Sequence, residues 1–347
     1  MKKLTKETIR EMGYKLGLDL VGFANIERFK DAPENMHPKG IFPEAKTVIV
    51  VGKRILRGGW RGIEEGTNWV TYTYFDYHGL LNSFFIQEPL YQLACFIEDS
   101  GYEAVPYYSG VPETQPPIKP LRENQPSPDV HLAIRIAGIC AGLGEIGWSK
   151  VFLTKKYGPR QRLHAIITDL EVEPDPLVKP LTICKRCMEC VNDCPSHAIP
   201  HIKENKKISI NIENYTYEWA DIDMGKCTLS YHGGDSRVSP FIHKDFPGWH
   251  IDARKQQFSE ECAYKFCWTL STGRWRKTKE CPSGYIIEGH GYLQKWGVGG
   301  SYGICGSRSC MRSCFNYLEE KNFIEQKFHN GSFIKRKRWL LPYSVKK

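Results

Sequence analysis

Helical and strand patterns alternate up to residue 170, a Pro174-Asp175-Pro176 break follows, and a dense cysteine run lies just beyond it. Together they predict an α/β layer domain joined to a small thiol-rich module. At 347 residues and 41% hydrophobic content, the chain is long enough for one large or two modest domains.

Residues 5–17 have Ile9, Met12 and Leu16 at helical spacing behind Thr5, a natural cap, with Gly13 as a weak point. A short strand is expected at 18–24. A turn-rich stretch with Pro33 and Pro38 leads to a second strand at 46–53, whose β-branched, nearly continuous apolar residues suit burial on both faces. Residues 58–77 are dense in aromatics (Trp60, Trp69, Tyr72, Tyr74, Tyr77, then His78), as in a loop lining a cavity for a flat ligand or an ordinary packed core. A helix follows over 80–100, restarted at Pro89 with Leu90, Leu93, Ala94 and Ile97 inward, then a strand over 101–108. The proline-rich 112–128 stretch is a long loop. A helix over 130–140 ends in the glycine-rich Ala141–Gly147, and 163–169 reads as a further strand. Cys95 and Cys140 read as plain buried thiols.

Cys184, Cys187, Cys190 and Cys194-Pro195 are spaced two, two and three residues apart. Three thiolates at that spacing can each take one corner of an iron–sulfur cube, while the fourth turns toward a neighbouring cube. Zinc sites, whose cysteine pairs are separated by a longer spacer, match less well. A second group is then required, and Cys305, Cys310 and Cys314 supply it with Cys227. The crossed assignment places Cys184, Cys187, Cys190 and Cys314 on one 4Fe-4S cluster, and Cys194, Cys227, Cys305 and Cys310 on the other. The stretch between Cys227 and Cys305 holds Cys262, Cys267 and Cys281 at spacings that match no metal motif.

The absence of an apolar stretch of ~20 residues argues against a membrane span. The N-terminus shows no export signal, so 13 cysteines point to metal ligation in a reducing, cytoplasmic setting. Net charge is +9, partly from Lys335-Arg336-Lys337-Arg338. This suits an acidic electron donor, with a nucleic-acid footprint as the less favoured reading.

With these motifs in place, the sequence resembles the corrinoid-dependent iron–sulfur reductases, the group of epoxyqueuosine reductases and reductive dehalogenases. The matching pieces are Leu16–Gly22, His37-Pro38, Phe42–Val50, Ala141–Gly147, Tyr157–Arg160, Thr168–Leu170, and Trp219 with Asp223 and Cys227. The resemblance implies a nitroreductase-like α/β domain over 1–176 that binds a cobamide (cobalamin), with Gly142, Gly144, Tyr157, Arg160, Thr168 and Asp169 as its contacts. It also implies a ferredoxin-like two-cluster module over 177–227 and 300–320, an insertion over 228–299 covering the active site, and a basic tail over 321–347. Electrons would pass from a low-potential ferredoxin or flavodoxin through both clusters to cobalt, for reduction of a small organic substrate. The proton donor is open among Asp129, Tyr107, Tyr108 and Glu145. Two alternatives stand beside this reading: a cobamide-free electron-transfer protein, and a tRNA-modifying reductase.

Overall fold

The computed structural model describes residues 4–64, 72, 75, 80–107, 130–238, 250–272, 274–276, 279–280, 282, 285–287, 309–331 and 333. Thr5 caps the first helix in a reciprocal box: its Oγ1 accepts from Thr8 N, and Thr8 Oγ1 accepts from Thr5 N at 3.0 Å. Helix α1 (Lys6–Lys15) keeps its glycine for a packing reason. A β-carbon at Gly13 would lie 2.8 Å from the Val21 side chain on the neighbouring strand.

The chain continues through β1 (Leu20–Asn25), β2 (Thr47–Arg54), α2 (Arg57–Glu64) and α3 (Gln87–Glu98). Pro89 falls in the first turn of α3, where its missing N–H costs no helical bond. After β3 (Ala104–Tyr107) come α4 (Ile134–Cys140), the short hairpin β4 (Glu145–Ile146) and β5 (Phe152–Leu153), and β6 (Gln161–Thr168). The main sheet has the order β1-β2-β6-β3, with every neighbouring pair antiparallel.

Strand alternation sorts this sheet into two cores. Val48, Val50, Ala165 and Ile167 pack with Ala137 and Ile139 of α4, whereas Ile49, Val51 and Ile166 meet Ile9 of α1 and Leu93 and Ile97 of α3. The expected double-sided burial of the second strand is therefore present: Val48 through Val51 are all 0% exposed.

Beyond residue 170 the elements are α5 (Glu189–Asn192), the hairpin β7 (Lys207–Ile212) and β8 (Tyr215–Ala220), α6 (Met224–Tyr231), α7 (Glu260–Thr272) and α8 (Cys310–Glu320). Tyr217 and Trp219 of the hairpin enter the α4-side core, closing the face that β2 and β6 leave apolar. A second interior forms around α8. There Trp60 meets Phe315 edge-on at 5.2 Å between ring centroids, and Tyr72 packs beside Trp60 at 6.4 Å. These two aromatics fill protein interior rather than line an opening, while Trp69, Tyr74, Tyr77 and His78 lie outside the described residues. No helix among the described residues is long and apolar enough to cross a membrane.

The β4–β5 hairpin depends on the glycine before it. A β-carbon at Gly144 would sit 1.9 Å from the Leu153 carbonyl oxygen, so the contact is with backbone that cannot step aside. Gly144→Ala is expected to destabilise the protein by about 3 kcal/mol or more, read as a lower urea midpoint.

Candidate metal centre

The thiol-rich segment is hung from the α/β domain by one carboxylate. Glu145, 2% exposed on β4, accepts backbone N–H bonds from Leu181 at 2.7 Å, from Ile183 and from Cys184 at 2.8 Å. Three residues on, Trp148 donates its backbone N–H to Cys184 Sγ at 3.4 Å, and its ring lies under the Arg186 guanidinium at 4.5 Å. Arg186 and Met188 both adopt left-handed backbone, with φ of 52° and 63°. These reversals between the cysteines turn backbone N–H groups toward sulfur: Arg186 N–H bonds Cys184 and Glu189 N–H bonds Cys187.

Helix α8 brings the distant cysteines to this loop. Asp193, next to Cys194, accepts from Arg312 Nη2 at 2.9 Å and from the Ser313 hydroxyl, the two residues before Cys314. On the other side, Asp223 caps α6 by accepting from Lys226 N at 3.0 Å, and its own N–H donates to Ala198 O at 3.0 Å. That bond fixes Cys227 beside the turn in which Ala198 N donates to Cys194 Sγ at 3.3 Å.

The electrostatic neighbours of each thiol divide the cysteines. Burial raises Cys314 well above the usual thiol range, and Cys184, Cys190 and Cys187 then add to the rise, with Cys310 last. Cys227 is raised first by burial, then by Cys310 and Cys194. Cys310 is pushed up to about 12 by burial and then by Cys194. Cys190 faces Cys310, Cys184 and Cys187, so it lies where the two groups meet. Cys314 thus neighbours Cys184, Cys187 and Cys190, and Cys227 neighbours Cys310 and Cys194. Cys305 lies outside the described residues.

Desolvated thiols that raise one another's proton affinity are poorly satisfied as they stand, and exchanging their protons for metal relieves that. Among the described residues no three His, Cys, Asp or Glu side chains form a group suited to one metal ion. A cube takes a separate iron at each thiolate, so its ligands surround a volume instead of sharing one ion, and thiols are the donors it takes.

The insertion lies against the second set. α7 packs on α6, where a β-carbon at Gly225 would fall 1.8 Å from Phe258 O. Arg237 donates to Pro195 O at 2.8 Å, and the fully buried Asp235 holds Arg237 at 2.7 Å while accepting from Ala253 N at 3.2 Å. Cys262 is exposed and Cys267 is buried with its Sγ 3.8 Å from Leu229 O, so they share no site; Cys281 lies outside the described residues.

The other expected residues are spread through the fold. Glu145, a candidate proton donor, has both oxygens engaged by the cysteine loop. The Tyr107 hydroxyl accepts from Leu132 N at 3.0 Å, and Tyr108 and Asp129 lie outside the described residues. The six expected cobamide contacts are built into the protein itself. Gly142, at φ +68°, would meet Pro176 O with a β-carbon, as Gly144 would meet Leu153 O. Tyr157 is buried beneath Lys156. Arg160 donates to Ile55 O at 2.7 Å and to Gln326, between the rings of Phe315 and Phe328. Thr168 accepts from Leu170 N at 3.1 Å and Asp169 from Glu103 N at 3.0 Å, both at strand-end turns. Sequence reasoning missed Asp193 and Arg237, whose partners are remote in the chain, and Asp235, which holds Arg237 from two residues away; only the position of Asp193 beside a cysteine hinted at its task.

No family model matches the chain. A tetrachloroethene reductive dehalogenase of Desulfitobacterium hafniense is 32% identical over 218 residues, covering 57% of this chain and 35% of the relative. The tetrachloroethene reductive dehalogenase of Dehalobacter restrictus (strain DSM 9455 / PER-K23) is 32% identical over 150 residues, 40% of this chain and 23% of the relative. The epoxyqueuosine reductase of Listeria monocytogenes serovar 1/2a is 24% identical over 248 residues, 62% of this chain and 58% of the relative. This chain thus spans well under two thirds of the curated relatives it matches. Among solved structures, the epoxyqueuosine reductase of Bacillus subtilis aligns at a TM-score of 0.44 with 14% identity, over 92% of this chain and 82% of its own. By its sequence the chain is similar to both reductive dehalogenases and epoxyqueuosine reductases.

Proposed function

We propose that this chain is an iron–sulfur oxidoreductase whose two thiol sets hold two 4Fe-4S clusters and deliver single electrons to a reducible organic substrate. The observation that carries it is the pairing of thiols remote in sequence, Cys314 with Cys184, Cys187 and Cys190, and Cys227 with Cys194 and Cys310. When bound, the clusters supply one-electron transfer. The chain's own residues orient and shield them. Glu145 holds the loop entering Cys184, backbone N–H groups of Trp148, Arg186 and Ala198 donate to sulfur, and α7 of the insertion packs on α6, which carries Cys227.

Dependence on a cobamide is a further part of the proposal, supported by the sequence relationship alone, and no step is assigned to it. Two substrate classes have separate support. An organohalide is favoured by the higher identity, 32% over 218 residues. A modified nucleoside in tRNA is favoured by the more even coverage, 62% of this chain and 58% of the epoxyqueuosine reductase, and by the net charge of +9.

Anaerobic purification from cells supplied with cobalamin, with iron, sulfide and cobalt counted per chain, tests this reading. About eight irons with one cobalt supports the full proposal, and about eight irons alone leaves a cobamide-free reductase. A preparation binding no iron or sulfide sinks it.

A further inference from the structure

Three surface turns converge beside the thiol set of Cys184, Cys187, Cys190 and Cys314. Glu325 N donates to Lys155 O at 2.9 Å, joining the turn at 154–158 to that at 320–326. Lys185 Nζ lies 5.3 Å from the centre of the Phe323 ring and donates to Leu181 O at 3.2 Å, which brings in the turn at 179–185. The last of these turns runs directly into Cys184, and that at 320–326 follows the helix carrying Cys314.

The chemistry of the surface is specific. Leu181 is 51% exposed and Phe323 42%, so two large apolar groups stand in solvent at its centre. Lys155, Lys179, Lys185 and Lys321 are exposed around them, against Glu320 and Glu325 as the acids of the same turns. The other thiol set lies behind α7 and the Arg237 contact to Pro195.

We infer that this lysine-rimmed apolar patch is the docking surface for a small, acidic, one-electron carrier protein, which delivers electrons first to the set of Cys184, Cys187, Cys190 and Cys314. The inference rests on the reading that those thiols hold a redox cluster. Net basic charge steers an acidic carrier to the patch, and a small apolar centre suits the brief, modest interface of an electron-transfer encounter. The step is an outer-sphere transfer: the carrier loses one electron, the cluster gains it, and no bond or proton moves. A carrier is favoured over RNA because the patch adjoins the thiols and its apolar centre is aliphatic as well as aromatic.

The test uses the full chain, reconstituted anaerobically, with reduced flavodoxin as the carrier and photoreduced deazaflavin as a small-molecule control. Iron and sulfide are counted first. Lys155→Glu/Lys179→Glu/Lys321→Glu is expected to slow reduction by flavodoxin about tenfold or more at low salt and to abolish the salt dependence seen in the wild type. Its iron content and its reduction by deazaflavin are expected to match the wild type. Phe323→Ser, which leaves charge untouched, is expected to slow flavodoxin while keeping the salt dependence. Equal flavodoxin rates in wild type and triple variant overturn the inference, as does a loss of tRNA binding with those rates unchanged. A wild type that binds no iron overturns the underlying reading, and this inference with it.

Discussion

Glu145→Ala is expected to halve the iron bound per chain and to lower stability by about 4 kcal/mol. The carboxylate is 2% exposed and accepts from Leu181, Ile183 and Cys184. Removing it leaves three donors without their acceptor, at about 1–3 kcal/mol each, with partial relaxation reducing the sum. Cys184 loses its anchor, so the loss of iron is confined to the set containing it. Glu145→Gln is a finer probe: its amide NH2 must face one of the backbone N–H groups, giving an intermediate loss. Urea unfolding with iron analysis of the same samples decides the matter, and full iron with an unchanged midpoint in Glu145→Ala would rule out the anchor.

The pairing of thiols across the chain predicts a pattern in double variants. Cys314→Ala alone is expected to lower iron from about eight to about four per chain, since one cube loses a ligand. Adding Cys190→Ala should cost nothing more, because both residues belong to one set. Adding Cys227→Ala instead should bring iron near zero. An uncrossed arrangement, with Cys184 to Cys194 on one cluster and Cys227 to Cys314 on the other, gives the opposite pattern. In that case the Cys314/Cys190 pair would empty both sites and the Cys314/Cys227 pair only one.

The sheet was legible where the residue pattern is strong. The run at Val48 to Val51 announced a doubly buried strand, and Thr5 a helix start. The hairpin of β7 and β8 was also legible, and was missed: Ile208, Ile210 and Ile212, then Tyr215, Tyr217 and Trp219, alternate with polar residues around a two-residue turn. Cysteine spacing carried the metal centre because ligand geometry demands a local motif. The roles of Glu145, Asp193 and Arg237 were illegible for the converse reason. Each is set by a partner 36 to 120 residues away, and nothing local encodes it. The glycines at 142 and 144 signalled close backbone approach correctly, but the backbone they approach is the protein's own.

Asp193 and its partners on α8 also bear on how the protein is made. The carboxylate binds residues 119 and 120 positions downstream, and each thiol set needs a cysteine from α8, Cys314 for one and Cys310 for the other. A nascent chain that has just passed Cys194 carries Cys184, Cys187, Cys190 and Cys194 but can complete neither set until α8 has left the ribosome. Closing a segment of that length costs about 4 kcal/mol in chain entropy, which the Asp193 bonds and the packing of α8 on α5 must offset. During synthesis the exposed thiols are thus open to oxidation and to stray metals, and truncation anywhere before Cys310 would forfeit both sets together.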